Sequence, residues 1–200
     1  MKDSTHEPYP DPHHGHYSKT VFGFWIYLLT DFMLFAAYFA AYVVLQTSTF
    51  GGPGGKEIFN YPLVLTQTLI LLTAAFTSGI GGVFAHRRSK QGALISFLVT
   101  FVLGVVFLSL QISDYHHLIA TGNSWERSAF LTAYFNLVGL HTIHIVFGLC
   151  WIIVFLIPLC REGITEIILT RLSCLRMFWQ FLAIVWIFIF TIVYLAGVNV

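Results

Sequence analysis

Long runs of apolar residues alternate with short polar segments along most of this chain. Five runs contain the roughly 20 residues that a helix needs to cross the hydrocarbon core of a bilayer. They lie near residues 21–45, 62–85, 93–113, 129–156 and 174–196. The pattern predicts an all-α fold: an integral membrane bundle of five transmembrane helices, forming a single domain over residues 21–200.

The residues before the first apolar run, 1–20, are polar and rich in histidine and proline, which predicts a largely disordered tail. That run is too long and too far from the start for a cleaved signal peptide. The chain is 57% hydrophobic and only 10% charged, which excludes a water-soluble domain. Its net charge of +1 includes no basic block for nucleic acid. Its three cysteines form no close pair, which argues against a thiolate metal site.

Lysine and arginine are distributed unevenly between the two predicted sides of the membrane. Five spans place the tail, the segment 87–90 and the segment 161–176 on one side, and these carry eight of the ten Lys and Arg residues. Only Lys56 and Arg127 fall on the other side. The positive-inside rule therefore predicts a cytoplasmic N-terminus and a C-terminus on the outer side of the membrane.

The first span carries a carboxylate, Asp31, near the middle of the membrane. Tyr27, Tyr38 and Tyr42 fall on the same side of the helix as Asp31, by their spacing. A charged carboxylate costs about 3 kcal/mol or more at that depth unless it is paired or protonated. We expect this face to meet protein or water, with tyrosine hydroxyls as candidate local partners. Both a structural carboxylate and a proton-linked or regulatory one fit the pattern.

Two histidines, His141 and His144, lie deep within the fourth apolar run. Ionisable side chains at that depth mark functional sites by default, so a haem or copper ligand pair is the first hypothesis. The two residues are three positions apart and project from one face of the helix, however. No other span supplies a histidine at matching depth for the opposite side of a haem. The pattern therefore favours helix packing and interhelical hydrogen bonding over a redox centre.

Other metal-site and phosphate-site candidates are weaker. Asp114 stands with His116 and His117 at the outer end of the third span, close to Gln111, where a water interface already explains polar residues. Four tail histidines lack the fixed geometry of a metal site: His6, His13, His14 and His16. The run GGPGGK at 51–56 is too short for a phosphate-binding loop and follows no strand. It predicts a turn-rich outer loop.

Several motifs, spread from the first span to the last, carry a resemblance to a known family. They are FGFWIYL at 22–28 followed by Asp31, GGP at 51–53, DYHHLI at 114–119, GLHTIH at 139–144 and WQFLAIVW at 179–186. Together they resemble subunit III of the haem–copper terminal oxidases. The similarity is greatest to the five-span form in bo-type ubiquinol oxidases, which lacks two helices of the longer relatives. The last motif usually reads WHFxDxVW, so Gln180 and Ala183 replace a histidine and an aspartate here.

The resemblance implies a non-catalytic subunit of a proton-pumping oxidase that reduces O2 to water. It also implies a multi-pass protein of a bacterial inner membrane, with its C-terminus in the periplasm. Such subunits bind no haem or copper; they stabilise the catalytic subunit I, which holds those groups, and assemble with subunits II and IV and with phospholipid. Asp31 matches an acidic position linked to proton uptake or its regulation. The remaining candidates are packing or interface residues: Tyr27, Gln111, Asp114, His141, His144, Gln180 and Trp186. Alternatives are subunit III of a cytochrome c oxidase, a small membrane cytochrome and a transporter.

Overall fold

The computed structural model of the chain describes residues 12–51 and 54–195, and all regular elements in these ranges are helices. The helices are α1 (Pro12–Leu45), the four-residue α2 (Gly55–Ile58), α3 (Tyr61–His86), α4 (Lys90–Ala120), α5 (Ala129–Glu162) and α6 (Glu166–Ile189). A π-helical segment, Phe190–Leu195, continues α6. Five helices are long and apolar enough to span a membrane: α1 from Lys19, α3, α4, α5 and α6 with its extension. The predicted all-α fold with five spans is confirmed.

The helices extend further into polar sequence than the hydropathy pattern indicates. The last span begins at Glu166 instead of near residue 174, so Arg171 and Arg176 belong to the helix and not to a preceding loop. Thr165 caps this early start, because its hydroxyl accepts a hydrogen bond from the backbone N–H of Ile168 at 3.3 Å. Helix α1 begins at Pro12, within the segment predicted as a disordered tail. The side chains of the tail histidines lie outside the described part of the chain.

Helix α6 is the centre of the bundle, since it packs against α1, α3 and α5. Its two buried tryptophans, Trp179 and Trp186, are fully covered by neighbouring helices. A Cβ atom added at Gly104 of α4 would lie 2.7 Å from the Trp179 ring. Lipid tails provide no hydrophobic drive for helices to associate, so close packing of this kind holds the bundle together.

The two connections α3–α4 and α5–α6 lie at one end of the bundle, which we call the basic end. Arg88 forms an ion pair with Glu166 and donates a hydrogen bond to the carbonyl of Ile164 at 3.1 Å. Lys90 donates from Nζ to the carbonyl of Cys160 at 2.7 Å. The opposite end holds the α4–α5 connection and the C-terminal end of α1. The cytoplasmic orientation of the basic end stays a prediction.

Candidate functional site

The structure brings Asp31 of α1 and His144 of α5 together inside the bundle. His144 Nε2 lies 3.1 Å from Asp31 Oδ1, and the side chains are 14% and 8% exposed respectively. The second ring nitrogen of His144, Nδ1, lies 2.8 Å from the carbonyl oxygen of Leu140 one turn earlier. This pair joins the aspartate and one of the two histidines that the sequence analysis treats as separate candidates.

The hydrogen bonds of His144 determine how many protons the pair holds. A carbonyl oxygen only accepts, so Nδ1 carries a proton and donates it to Leu140. The contact between Nε2 and Oδ1 then needs one further proton, on either the imidazole or the carboxyl group. The pair is net neutral in both arrangements, as imidazolium with carboxylate or as imidazole with carboxylic acid. A neutral pair holding one transferable proton costs far less inside a membrane than a lone carboxylate.

Aromatic rings cover the Asp31–His144 pair. The Phe35 ring centroid lies 5.2 Å from that of His144, and the Phe178 ring stacks on His144 at 6.4 Å. Asp31 Oδ2 is buried and has no hydrogen-bond partner among the described residues. The site therefore has an apolar lining and one unused acceptor.

His141 makes different contacts, although it shares a helix face with His144. Its Nε2 lies 3.1 Å from the carbonyl of Leu182 on α6, so this nitrogen donates and Nδ1 is the acceptor. Nδ1 is buried without a described partner, and the residue is 0% exposed. The ring packs 6.0 Å from Phe107 and 5.1 Å from Trp186. His141 thus joins α5 to α6 within an aromatic cluster.

Trp186 extends this cluster to α3. Its indole Nε1 donates a hydrogen bond to the Thr68 hydroxyl at 3.0 Å, and the ring meets Phe107 edge-on at 4.9 Å. Four spans therefore meet at the level of His141: α3, α4, α5 and α6. Within the described residues no group of three or more His, Cys, Asp or Glu side chains could hold a metal ion.

Gln111 and Asp114 lie in the C-terminal half of α4, away from the basic end. Gln111 is 0% exposed, and neither end of its amide has a partner among the described residues. Gln67 of α3 is also 0% exposed, and neither end of its amide has a described partner. Helices α3 and α4 run antiparallel, and the hydroxyls of Thr77 and Thr100 lie 2.9 Å apart between them. Gln67 comes ten residues before Thr77, and Gln111 comes eleven residues after Thr100. The two glutamines therefore lie at the same level of the bundle. Asp114 is partly buried nearby. Sequence analysis missed Gln67, although a glutamine within a span is itself a signal.

Two of the sequence candidates, Tyr27 and Gln180, face outwards. Tyr27 is 46% exposed and packs its ring against Phe24 at 5.6 Å. It makes no described hydrogen bond to Asp31, which pairs with His144 and not with this candidate tyrosine. Tyr42 also turns away from Asp31, because its hydroxyl donates to the carbonyl of Val193 at 3.4 Å. Gln180 is exposed on α6, whereas Ala183 is buried.

Spacing alone could not find the Asp31–His144 pair, because it depends on α1 lying beside α5. The available signal was depth: an acid and a histidine near the middle of different spans are natural partners. These features define a five-span helical membrane protein with an internal polar pair.

Comparisons with known proteins place this architecture in a family. The family model described as cytochrome c oxidase subunit III matches residues 2–198. The chain is 48% identical over 194 residues to cytochrome bo(3) ubiquinol oxidase subunit 3 of Pseudomonas aeruginosa, covering 96% of this chain and 93% of the relative. The same-named protein of Pseudomonas putida is 44% identical, with 92% and 89% covered. Cytochrome c oxidase subunit 3 of Alkalihalophilus pseudofirmus is 38% identical, with 88% and 86% covered.

The chain belongs to the cytochrome c oxidase subunit III family. It is accordingly an accessory, non-catalytic subunit of a haem–copper oxidase complex and associates with the catalytic part of that complex. Its five spans and bacterial relatives indicate a multi-pass protein of a bacterial inner membrane.

Proposed function

We propose that the chain is subunit III of a proton-pumping oxidase that takes its electrons from ubiquinol. The support is the identity of its relatives: two named for ubiquinol are 48% and 44% identical, whereas two named for cytochrome c are 38% and 35% identical. Electron transfer and O2 reduction occur in the partner subunits, which hold the haems and copper. Cytochrome c as the donor is the second candidate, because a relative named for it also aligns over most of the chain.

The electron donor can be tested with the purified complex. Oxidase turnover with ubiquinol and no turnover with reduced cytochrome c is the expected result. The reverse preference would refute the quinol assignment while leaving the family membership intact.

In this proposal the chain stabilises subunit I, its main partner, and also contacts subunits II and IV. Many large apolar side chains face outwards, and α1 contributes several of them, including Phe22 at 67% and Met33 at 73% exposed. Helix α1 contacts α5, α6 and the π-helical segment, which leaves its other sides free for a partner subunit or lipid. The basic end faces the cytoplasm, in keeping with the positive-inside rule.

We also propose that phospholipid binds between α4 and α5 near the basic end. A groove of about 390 Å³ lies there. Its walls are apolar, and Arg161 stands at its end; the lining includes Leu98, Phe101, Ile153, Leu156 and Ile157. An acyl chain fits such walls, and an anionic headgroup would meet the arginine. Mass spectrometry of the purified complex tests this: the Arg161→Gln variant should retain less anionic lipid than the unmodified complex.

The Asp31–His144 pair is the proposed proton-linked element of the subunit. It holds one proton that can lie on either partner, and Asp31 Oδ2 remains available as a further acceptor. An asparagine at position 31 can still donate to Nε2 but cannot exchange that proton. We therefore expect Asp31→Asn to leave assembly intact and to alter proton-pumping yield or long-term activity modestly. Unchanged pumping and unchanged turnover stability in reconstituted vesicles would rule out the proton-linked role.

A further inference from the structure

Helix α6 carries a cation inside its span, Arg176, at the face that α6 shares with α3. It lies ten residues after Glu166, which is about 15 Å along the helix axis. Its stem crosses Gly82 of α3 so closely that a Cβ atom added there would lie 2.5 Å from Arg176 Cδ. The glycine therefore allows the side chain to lie flat against the α3 backbone and to emerge at the surface between the two helices.

Arg176 has no counter-charge within the described chain. No carboxylate among the described residues lies within 4.0 Å of its nitrogens, and Nε is buried without a hydrogen-bond partner. The residue is only partly buried, so the rest of the guanidinium is accessible from outside. A guanidinium inside a membrane span requires an acceptor, and none lies within reach among the described residues.

Gln180 stands one turn further along the same face of α6 and is also exposed. It lies at the midpoint of the span Glu166–Leu195, where hydrocarbon surrounds any surface not covered by protein. A Cβ atom at Gly79 of α3 would lie 3.7 Å from Gln180 Nε2. Gly79 and Gly82 have no side chains that project from the α3 side of this face, so another helix can approach it closely.

We propose that this face, formed by Arg176 and Gln180 with Gly79 and Gly82, contacts a transmembrane helix of a neighbouring oxidase subunit. A carboxylate on that helix pairs with Arg176, and a polar group one turn further along bonds to the Gln180 amide. A phospholipid phosphate would satisfy the arginine alone, because phosphates do not reach the middle of the bilayer where Gln180 lies. The glutamine therefore favours a protein partner. The inference rests on the proposed function, since the partner is a subunit of the same complex.

Photocrosslinking in the intact complex tests the proposal. With p-benzoylphenylalanine in place of Gln180 and Arg176 unchanged, we expect an adduct with another subunit. Mass spectrometry should place the adduct on a transmembrane segment that contains Asp or Glu. Adducts with lipid alone would overturn the proposal. This measurement does not require any variant of Arg176 to fold.

A charge variant provides an independent measurement. Arg176→Gln should reduce the amount of catalytic subunit that co-purifies with the tagged chain by about tenfold or more, because it leaves the partner's carboxylate unpaired. Arg176→Lys should preserve most of the retention. Arg171→Gln is the matched control: it removes the same charge five positions earlier, on a different side of α6, and should have no effect. Normal retention of the Arg176→Gln chain would contradict the proposal. If the unmodified chain brings no oxidase with it, the proposed function itself fails, and this inference fails with it.

Discussion

Replacing His144 by leucine isolates the energetic role of the Asp31–His144 pair. The substitution removes the 3.1 Å contact to Oδ1, and Oδ2 already lacks a described partner. Asp31 would then be an almost fully buried carboxyl group with no described hydrogen bond. A buried polar group that lacks a partner is costly.

The size of the effect follows from what each variant leaves unpaired. Breaking a buried ion pair by removing one partner costs about 3–5 kcal/mol, so His144→Leu should destabilise the chain by about that amount. Asp31→Asn keeps a hydrogen bond, since the amide can donate to Nε2, and should cost about 1 kcal/mol. In the double variant the unpaired group is a neutral amide. We expect the double variant to be about 1–3 kcal/mol more stable than His144→Leu alone.

The assay is SDS titration of the purified chain in mixed micelles, followed by tryptophan fluorescence, to which the buried Trp179 and Trp186 contribute. The key observation is the sign of the change in unfolding free energy that Asp31→Asn causes. We expect it to destabilise the unmodified chain and to stabilise the His144→Leu chain. Effects that add within about 0.5 kcal/mol would mean that the two side chains are not coupled. That result would refute the reasoning about the shared proton.

Two further variants test the packing and the absence of a redox role. Gly104→Ala should destabilise the bundle by about 1–3 kcal/mol in the same titration, because the new Cβ would lie 2.7 Å from Trp179 and 2.8 Å from Leu149. Gly139→Ala, where no atom lies within 4 Å, is its control and should be neutral or slightly stabilising; equal losses at both glycines would contradict the packing account. His141→Ala should cost about 2–5 kcal/mol by opening a cavity in the aromatic cluster, without changing the haem absorbance of the purified complex. Loss of a haem band would show that the non-redox interpretation of His141 is wrong.

Hydropathy was sufficient to predict the five spans, because a helix that crosses a bilayer must satisfy its backbone internally and present apolar side chains to lipid. It could not predict where the helices end. Helix α6 begins at Glu166 because Thr165 caps it, and Arg88 pairs with Glu166. These contacts stabilise helical turns that precede the start of the apolar pattern. Arg176, which the sequence analysis places between two spans, therefore lies within a span.

Sequence analysis could identify individual residues of the candidate site, but not the contacts between them. Depth and charge identified Asp31, and one-sided spacing argued against a metal site at His141 and His144. Helical periodicity specifies which face a residue occupies, but not which helix that face meets. The side-by-side packing of α1 and α5 supplied the partner, and a histidine replaced the expected tyrosine hydroxyls.

Co-purification tests the central claim most directly. A tag on this chain, mild detergent extraction and a reduced-minus-oxidised visible spectrum would show whether a haem-bearing complex accompanies it. The account predicts haem absorbance in constant ratio to the chain, together with oxidase activity that consumes O2 with ubiquinol as the donor. A stable, folded preparation that is colourless and inactive under conditions that keep oxidases intact would contradict it.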